Sequence, residues 1–241
     1  MRLSAADPIV VLTGAGVSRE SGLHTFRDAD GIWSRVRIED VATPEAFRRD
    51  PARVQEFYNV RRRELLSGTI RPNPAHEALA RLEREHPGEF LLVTQNIDDL
   101  HERAGSRNVL HMHGELLSSR CTETGRIHEQ RGDITPESTC VCCETAGTLR
   151  PHVVWFGEVP FGLDGIYAAL RGCALFLAVG TSGQVWPAAG FVEEVRLGAR
   201  ARTVELNLES TGLSPLFDES LIGPATEVVP RFVDGLLGLP A

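Results

Sequence analysis

Four short apolar runs stand at intervals along the chain, and each ends in small or polar residues. They cover residues 9–12, 90–94, 174–179 and 203–206. Each run has the length and residue types of a buried strand, and segments of helical character separate them. This alternation predicts an α/β fold in which a doubly wound parallel sheet carries helices on both faces. In such folds ligands bind where the carboxyl ends of the strands meet.

Two segments interrupt the alternation. Residues 43–66 predict one long helix, with Thr43-Pro44-Glu45 as its start signal and Gly68 as its stop. Residues 121–147 are polar, carry cysteines and contain no long apolar run. We interpret these insertions as a smaller lobe of one domain, residues 1–241. The small lobe would span about 41–69 and 120–147, and the large, Rossmann-like lobe about 1–40, 70–119 and 148–241.

Composition narrows the class of protein. The 241 residues are 42% hydrophobic and 24% charged, which is typical of a globular domain with one large core. No stretch approaches the ~18 apolar residues of a membrane span, and the N-terminus is too short for a secretory signal, so we expect a cytoplasmic protein. The net charge of −8 and the lack of a basic stripe argue against nucleic-acid binding.

The first predicted strand runs into a glycine turn, Gly14-Ala15-Gly16. Glycines after a strand let the backbone approach a pyrophosphate closely. Arg19 stands where the dinucleotide fingerprint has its third glycine, and the acidic Glu39 lies in a helix-like insertion. Both features argue against an NAD-dependent dehydrogenase.

The residues that follow this turn carry a family resemblance. The block from Gly14 to Trp33 resembles the first sirtuin motif, G-A-G-x-S-x-x-S-G-x-x-x-F-R. Further blocks match sirtuins in the same order along the chain, up to about Ala225: Thr94-Gln95-Asn96-Ile97-Asp98, His111-Met112-His113-Gly114, Gly180-Thr181-Ser182 and Asn207-Leu208-Glu209. Agreement in all of these blocks, in order, is far more specific than any single block.

The resemblance implies an enzyme that removes acyl groups from lysine side chains of proteins or peptides and consumes NAD. In sirtuins the acyl oxygen attacks the nicotinamide ribose, nicotinamide leaves and an alkylimidate forms. A histidine then helps deprotonate a ribose hydroxyl, and the products are free lysine and 2′-O-acyl-ADP-ribose. Imidazole suits this role because it titrates near neutral pH.

His113 matches that catalytic histidine, and His111 competes with it. If both lay on one strand they would share a face, so geometry alone would not choose between them. The match to His113-Gly114 favours His113.

The resemblance also assigns cofactor-binding residues. Phe26 would shield the reactive carbon, and Asn96 and Asp98 would hold nicotinamide and its ribose. Asn96 and Asp98 could instead begin a helix over residues 100–104, for which Asp99 is the better cap. Both interpretations can hold together. The full NAD-binding set is Gly14, Ala15, Gly16, Ser18, Phe26, Arg27, Gln95, Asn96, Ile97, Asp98, Gly180, Thr181, Ser182, Asn207, Leu208, Glu209 and Ala225.

Residues 153–158 resemble the sirtuin segment that pairs with substrate peptide, and Val154, Phe156 and Gly157 are its expected contacts. Residues 183–185 would form the opposite edge, so that the peptide adds as a strand between them. The alternative is a core strand followed by a loop.

Tyr58 and Arg61 lie three residues apart on a predicted helix and so share a face. In the sirtuin branch that prefers succinyl- and malonyl-lysine, a Tyr-x-x-Arg pair occupies this position, and Ala42 matches the small residue that leaves room for the acyl chain. Arginine could bind a carboxylate through paired hydrogen bonds. The alternative is that Tyr58 belongs to the core and residues 61–63 form a solvated charged face.

Cys121, Cys140 and Cys143 are candidate ligands of the structural zinc that sirtuins hold with two C-x-x-C pairs. The second cysteine of the first pair is absent, because Thr124 stands there. Cys142 and His128 are possible fourth ligands. A lobe held together by packing, without metal, is the alternative.

Two further functions remain open: an NAD or ADP-ribose sensor without activity, and an ADP-ribosyltransferase. His113, Asn96 and Asp98 argue against the sensor, and the Tyr58–Arg61 pair argues against the transferase. We expect a monomer that binds acylated peptides and neither nucleic acid nor membrane.

Overall fold

The computed structural model describes residues 4, 6–23, 37–198 and 201–238 of the 241-residue chain. Its main sheet is built from six strands, and all four apolar runs form strands in it. The predicted α/β fold with a parallel sheet is therefore confirmed. The strands are β1 (Ile9–Thr13), β2 (Phe90–Thr94), β3 (Val109–His111), β7 (Leu175–Val179), β8 (Arg202–Asn207) and β9 (Glu219–Ile222).

These strands lie in the order β3-β2-β1-β7-β8-β9, and every neighbouring pair is parallel. The chain moves outward in one direction from β1 to β3 and in the other from β7 to β9. The order therefore reverses between β1 and β7. At such a switch point the connections leave in opposite directions and open a crevice at the carboxyl edge of the sheet.

Helices cover both faces of the main sheet. Helices α5 (Pro74–Glu85) and α9 (Ala225–Leu237) pack on one face, against alternate strand residues such as Val11. Helices α7 (Leu163–Gly172) and α8 (Phe191–Gly198) pack on the other face, against Val10 and its equivalents. The central strands β1 and β7 are buried along their whole length, which explains why their sequences are apolar without alternation. No helix in the described part of the chain is long and apolar enough to cross a membrane.

Most of the remaining helices and strands lie in or next to the two insertions, which we assigned to the small lobe. The first contains α2 (Ile38–Val41), α3 (Pro44–Arg49) and α4 (Pro51–Leu65). The second contains β5 (Ile127–Glu129), which joins an antiparallel sheet with the two strands that flank the insertion, β4 (Gly114–Cys121) and β6 (Leu149–Val153), in the order β5-β4-β6. The short helices α1 (Gly16–Arg19) and α6 (Leu100–Ala104) belong to the main sheet's connections. The residue boundaries given above for the two lobes stay a prediction.

The single long helix predicted over residues 43–66 is wrong, because the chain breaks at Asp50. Asp50 has an extended backbone, and its Oδ1 accepts a hydrogen bond of 3.0 Å from the Arg53 amide. Pro51 excludes the helical conformation from the residue before it and has no amide to donate. The Asp-Pro pair therefore ends α3 and begins α4.

Helix α4 joins the two insertions through buried polar side chains. Gln55 donates to the carbonyl oxygen of Leu149 (3.0 Å), and Asn59 exchanges two hydrogen bonds with the main chain of Ile134 (2.7 and 2.9 Å). Arg62, which is fully buried, donates to the carbonyl of Leu116 (3.1 Å). These bonds satisfy loop backbone groups that would otherwise be buried without partners.

The turns after β1 and β7 touch through their backbones. A Cβ added to Gly14 would lie 2.8 Å from the Gly180 carbonyl oxygen, and one added to Gly180 would lie 2.4 Å from the Val17 nitrogen. Gly180 also has a φ of +61°, which favours glycine. The amide of Gly16 donates to the Gly180 carbonyl over 2.9 Å. Only glycines allow the two central turns to approach this closely.

We expect Gly180→Ala to destabilise the protein by about 2 kcal/mol or more, because it adds both a clash and a strained φ. Gly165→Ala in α7 is the matched control: its Cβ would enter open space, and the helix should gain up to about 1 kcal/mol. Urea unfolding of both variants measures the difference. Equal stability of the two variants would contradict this account of the turn contact.

Candidate active site

Four turns meet at the carboxyl edge of the main sheet, and backbone hydrogen bonds tie three of them to a neighbouring strand. The amide of Gln95 donates to Thr13 (2.9 Å), that of Gly14 to Val179 (3.0 Å) and that of Gly180 to Leu206 (2.9 Å). The parallel ladders thus continue past the ends of β1, β2 and β7. The observed register of the strands confirms the prediction that these turns lie at one edge of the sheet.

Side chains also bridge the turns. Gln95 Nε2 donates to Thr181 Oγ1 over 3.1 Å, so the turn after β2 reaches across β1 to the turn after β7. Asn207 Nδ2, at the end of β8, donates to the Thr181 carbonyl over 2.7 Å. Thr181 therefore connects both halves of the sheet. These three residues come from separate blocks of the sequence, and the fold brings them together.

A buried network lies beside this edge and centres on Ser18. Its Oγ receives a hydrogen bond from Asn96 Nδ2 (3.2 Å) and donates to Asp98 Oδ2 (3.1 Å). The Ser18 hydroxyl also contacts His76 Nε2 (3.3 Å), and His76 Nδ1 accepts from the Asn73 amide (3.3 Å). Because Nδ1 accepts, Nε2 carries the proton of the neutral ring and donates it to Ser18.

Asp98, rather than the predicted Asp99, caps helix α6. The amide of Leu100 donates to Asp98 Oδ1 over 3.1 Å, whereas Asp99 occupies the N-cap position without a side-chain hydrogen bond. Asp98 thus caps the helix and also belongs to the Ser18 network. Burial raises the pKa of this carboxyl to about 6, although its hydrogen bonds to Leu100 and Ser18 lower it.

Two histidines behind the network did not appear among the sequence candidates. The rings of His76 and His101 lie 4.9 Å apart, and both side chains are fully buried. His101 Nε2 lies 3.0 Å from Thr13 Oγ1. Burial lowers the pKa of His76 to about 4 and that of His101 well below its usual range, so both rings are neutral. The only sequence signal was the position of His76 three residues after the cap Asn73.

The structure separates His113 from His111. His113 lies in the turn between β3 and β4, so the two histidines do not share one strand. Its Nδ1 lies 3.1 Å from the Gln95 carbonyl oxygen, which can only accept. Nδ1 must therefore hold the proton, and Nε2 keeps its lone pair. Burial lowers the pKa of His113, which favours this neutral form.

Neither ring nitrogen of His111 has a lone pair available to accept a proton. Its Nδ1 faces the Asn96 carbonyl (3.1 Å) and its Nε2 faces Glu102 Oε1 (2.7 Å), so both nitrogens donate. Burial alone would lower the pKa of His111, but the hydrogen bond and charge of Glu102 outweigh it and raise that pKa. His111 is thus a paired cation, and His113 is the ring that can accept a proton.

Two of the three predicted acyl-pocket residues belong to a third hydrophobic cluster, apart from the two that cover the main sheet. Tyr58 and Ala42 are buried in a cluster that also contains Trp155. Trp155 Nε1 donates to the Tyr58 hydroxyl over 3.0 Å. The amide of Phe156 donates to the Ala42 carbonyl over 3.0 Å. Tyr58 is therefore a core residue whose hydroxyl is hydrogen-bonded, which agrees with the alternative that Tyr58 belongs to the core.

The arginine run is not one solvated face, because its three members differ in burial. Arg63 is exposed and pairs with Glu56, and Arg62 is fully buried. Arg61 lies partly buried over the ring of Phe57, with its Cζ 3.4 Å from the ring centroid. Burial lowers the pKa of Arg61 to about 10, which still leaves it charged at neutral pH.

The segment expected to pair with peptide leaves β6 as a turn. The amide of Val154 donates to the His113 carbonyl (2.8 Å), which places the segment next to the histidine turn. Phe156 is 48% exposed, and Gly157 has a φ of +90°. The opposite edge, residues 183–185, is likewise not a strand. Within the described residues, Phe156, Gly157 and residues 183–185 are exposed or partly buried and belong to no strand, whereas Val153 pairs with β4 and Trp155 is buried.

The remaining predicted NAD contacts vary in exposure. Leu208 and Glu209 are exposed, Ala225 is buried at the start of α9, and Ala15, Ile97 and Ser182 are partly buried. Phe26 and Arg27 lie outside the described residues.

Four cysteine sulfurs form a cluster in the second insertion. Those of Cys121, Cys140, Cys142 and Cys143 all lie within 4.8 Å of one another. Four thiolates around zinc would stand about 3.8 Å apart, given Zn–S bonds of about 2.3 Å, so the cluster fits a closed structural site. Cys142 is thus the fourth sulfur beside the three predicted. His128 Nε2 lies 3.8 Å from the Cys140 sulfur and outside the four-sulfur group.

Comparisons with known proteins agree with this geometry. The model of the Sir2 family matches residues 14–187. An NAD-dependent protein deacylase of Escherichia coli (strain K12) is 58% identical over 234 residues, which cover 97% of this chain and 84% of that protein. An NAD-dependent protein deacylase of Vibrio cholerae is 54% identical over 233 residues, covering 97% and 94%.

Solved structures give the same result. A mutant Sir2 homologue in complex with ADP-ribose aligns with a TM-score of 0.88 and 40% identity, over 98% of this chain and 96% of that one. A Sir2 homolog–NAD complex aligns with a TM-score of 0.86 and 41% identity, over 96% and 90%. A Sir2–p53 peptide–NAD⁺ complex aligns with a TM-score of 0.77 and 26% identity, over 95% and 92%.

We expect Asp98→Asn to stabilise the fold at neutral pH. The folded-state pKa of Asp98, about 6, exceeds the ordinary value of 3.8, so this carboxyl's contribution is present below about pH 4 and lost as pH rises through 6. Asparagine does not titrate. The variant should therefore exceed wild type by up to about 3 kcal/mol at pH 8, and the gap should close towards pH 4. Urea unfolding across this range measures it, and a constant gap would contradict the assignment.

We expect Cys142→Ser to lose zinc on dialysis against a chelator, whereas His128→Ala should retain about one zinc ion per chain. Thr124 Oγ1 lies 3.0 Å from the Cys142 sulfur. Adding Thr124→Cys to Cys142→Ser should therefore restore a fourth thiolate and the metal. Elemental analysis and the absorption spectrum of the cobalt-substituted protein provide the readouts. Zinc loss in His128→Ala alone would instead make the histidine the fourth ligand.

Proposed function

The chain belongs to the Sir2 family, and from that premise we propose that it is an NAD-dependent protein-lysine deacylase that removes acetyl groups and also succinyl and malonyl groups. The observation that carries the acidic preference is the pairing of Tyr58 with Arg61 one turn later on α4, beside the small residue Ala42. Arg61 donates to the Phe57 carbonyl over 3.0 Å and stays positively charged at neutral pH, so its guanidinium can attract the terminal carboxylate of a succinyl or malonyl group.

Arg61 and Tyr58 differ in what they can offer such a carboxylate. The guanidinium of Arg61 can donate two parallel hydrogen bonds and carries the opposite charge. Tyr58 can add one neutral donor. Acetyl-lysine lacks the carboxylate and would leave these groups without that partner, which weakens binding but does not prevent it.

The carboxyl edge of the main sheet suits NAD as a co-substrate. The glycine turns allow close approach of a pyrophosphate, and the amide, hydroxyl and carboxylate groups of Ser18, Asn96 and Asp98 suit a carboxamide and ribose hydroxyls. NAD supplies an electrophilic ribose carbon and is consumed together with one water molecule, and the products are nicotinamide, free lysine and 2′-O-acyl-ADP-ribose.

His113 acts as the general base in this proposal. Its Nε2 accepts a proton from a ribose hydroxyl, while Nδ1–H stays bound to the Gln95 carbonyl. The lowered pKa of His113 keeps Nε2 unprotonated at neutral pH. His111, which donates from both nitrogens, holds the turn through Glu102 and Asn96 instead.

The substrate peptide would lie between residues 153–158 and residues 183–185, with Val154, Phe156 and Gly157 as contacts. Backbone pairing of this kind tolerates many side-chain sequences. The acyl-lysine would then enter between the lobes, next to the histidine turn that Val154 contacts through its amide.

We expect Arg61→Met to lower kcat/KM for a succinyl-lysine peptide about 10- to 100-fold and to leave the acetyl-lysine peptide within about twofold, because one charge-assisted pair is lost. Arg63→Met is the matched control, since Arg63 is exposed and pairs with Glu56 and Asp133. Product formation with and without NAD, followed by mass spectrometry, measures the rates.

His113→Tyr in the same assay should lose at least about 100-fold on both peptides. If Arg61→Met loses both activities equally, Arg61 is structural and the acidic preference is wrong. If wild type removes no acyl group from either peptide, the sensor and transferase hypotheses replace the deacylase.

A further inference from the structure

The Tyr58 hydroxyl is held by a partner that can only donate. Indole nitrogen has a hydrogen and no acceptor lone pair, so the 3.0 Å contact with Trp155 Nε1 makes the Tyr58 oxygen the acceptor. The hydroxyl's own proton is not used in this bond. Within the described residues, the hydroxyl makes no second hydrogen bond. The hydroxyl proton of Tyr58 is therefore available for donation to another acceptor.

Burial keeps that donor protonated. Tyr58 is only 4% exposed, and desolvation raises its pKa to about 12. Tyr58 is thus a neutral phenol at any pH at which the protein would work. A phenol with its acceptor side occupied can satisfy its proton only by donating it to another acceptor, such as a carboxylate.

The indole of Trp155 is itself held from several sides. The Arg150 guanidinium lies over its ring, with Cζ 3.4 Å from the centroid, and the Trp155 amide donates to Glu158 Oε2 (2.9 Å). Arg150 and Glu158 form two parallel hydrogen bonds of 2.7 and 2.9 Å. The ring of Phe47 packs at 5.2 Å. Trp155 therefore presents its N–H in one fixed direction.

Two adjacent residues fix both sides of the acyl pocket. Trp155 holds Tyr58 through its side chain, and Phe156 holds Ala42 through its amide. The turn after β6 therefore couples helix α4 to the end of α2. A change in this turn would move the tyrosine donor and the small-residue wall together.

We propose that Trp155 is a positioning residue for acidic acyl groups. Its indole N–H occupies the acceptor side of the Tyr58 hydroxyl and thereby turns the hydroxyl proton towards the carboxylate that Arg61 binds. This inference rests on the proposed function, and it adds a residue that selects between acyl groups without touching them. In such an arrangement Trp155 affects only substrates that end in a carboxylate.

Trp155→Phe removes the indole N–H and keeps an aromatic ring under Arg150. We expect it to raise the KM for the succinyl-lysine peptide about fivefold more than the KM for the acetyl-lysine peptide. Tyr58→Phe should have the same effect, and the double variant should lose no more than Tyr58→Phe alone. Tyr167→Phe, the same change at the other tyrosine of the chain, is the matched control.

Nuclear magnetic resonance tests the hydrogen bond without activity. The chain has three tryptophans and so about three indole N–H signals. Trp186→Phe and Trp33→Phe identify the third signal as that of Trp155 even if Trp155→Phe does not fold. In Tyr58→Phe this signal should shift upfield because its acceptor is gone, and Tyr167→Phe should leave it in place.

The outcomes separate this inference from the function on which it rests. Equal losses on both peptides in Trp155→Phe, additive losses in the double variant, or an unmoved indole signal in Tyr58→Phe would each overturn the positioning role alone. Failure of wild type to remove the succinyl group would overturn the acidic pocket and the inference together. A succinyl-specific KM effect that vanishes in the Tyr58→Phe background, with a shifted indole signal, supports both.

Discussion

The arrangement of the site depends on one backbone contact, between the turns that follow β1 and β7. Gly14, Gly16 and Gly180 touch through main-chain atoms at the point where the strand order reverses. A side chain on any of them would push the two halves of the sheet apart. With the halves in contact, Gln95 can reach Thr181 across β1, and four separate sequence blocks form one continuous edge. The constraint is steric and local, yet it sets the spacing of every group at that edge.

Much of the fold could be predicted from the sequence because buried strands and helix starts have strong local signals. All four apolar runs became strands, and helix α3 begins at its predicted start signal, where the Thr43 side chain accepts a hydrogen bond from the Ala46 amide. The prediction of a single long helix over residues 43–66 failed because we gave the helical composition of the segment more weight than the local effect of the Asp50-Pro51 pair. The burial of polar side chains on α4 could not be predicted from the sequence either. Arg62 can be fully buried because two carbonyls distant in sequence, those of Leu116 in β4 and of Gly132, accept its hydrogen bonds, and nothing near Arg62 in the chain indicates that.

The sequence predicted which residues belong to the candidate site better than it predicted the contacts that those residues make. Motif matching named the residues that meet at the sheet edge, but it could not choose between His111 and His113 on physical grounds. That choice needs the partner of each ring nitrogen, and those partners come from other elements. Trp155 was missed as an individual residue for the same reason. Its importance lies in one hydrogen bond to a helix nearly a hundred positions away, and such a pairing leaves no periodic or compositional trace.

The partner that fixes the His113 tautomer is a peptide carbonyl rather than a side chain. A carboxylate partner could be lost through a single substitution, and it would also move the ring's affinity for protons with its own charge. The main chain at position 95 offers the same oxygen whatever residue stands there. A substitution at position 95 would therefore keep the proton on Nδ1 of His113, while the side chain of Gln95 serves a separate purpose, the bond to Thr181.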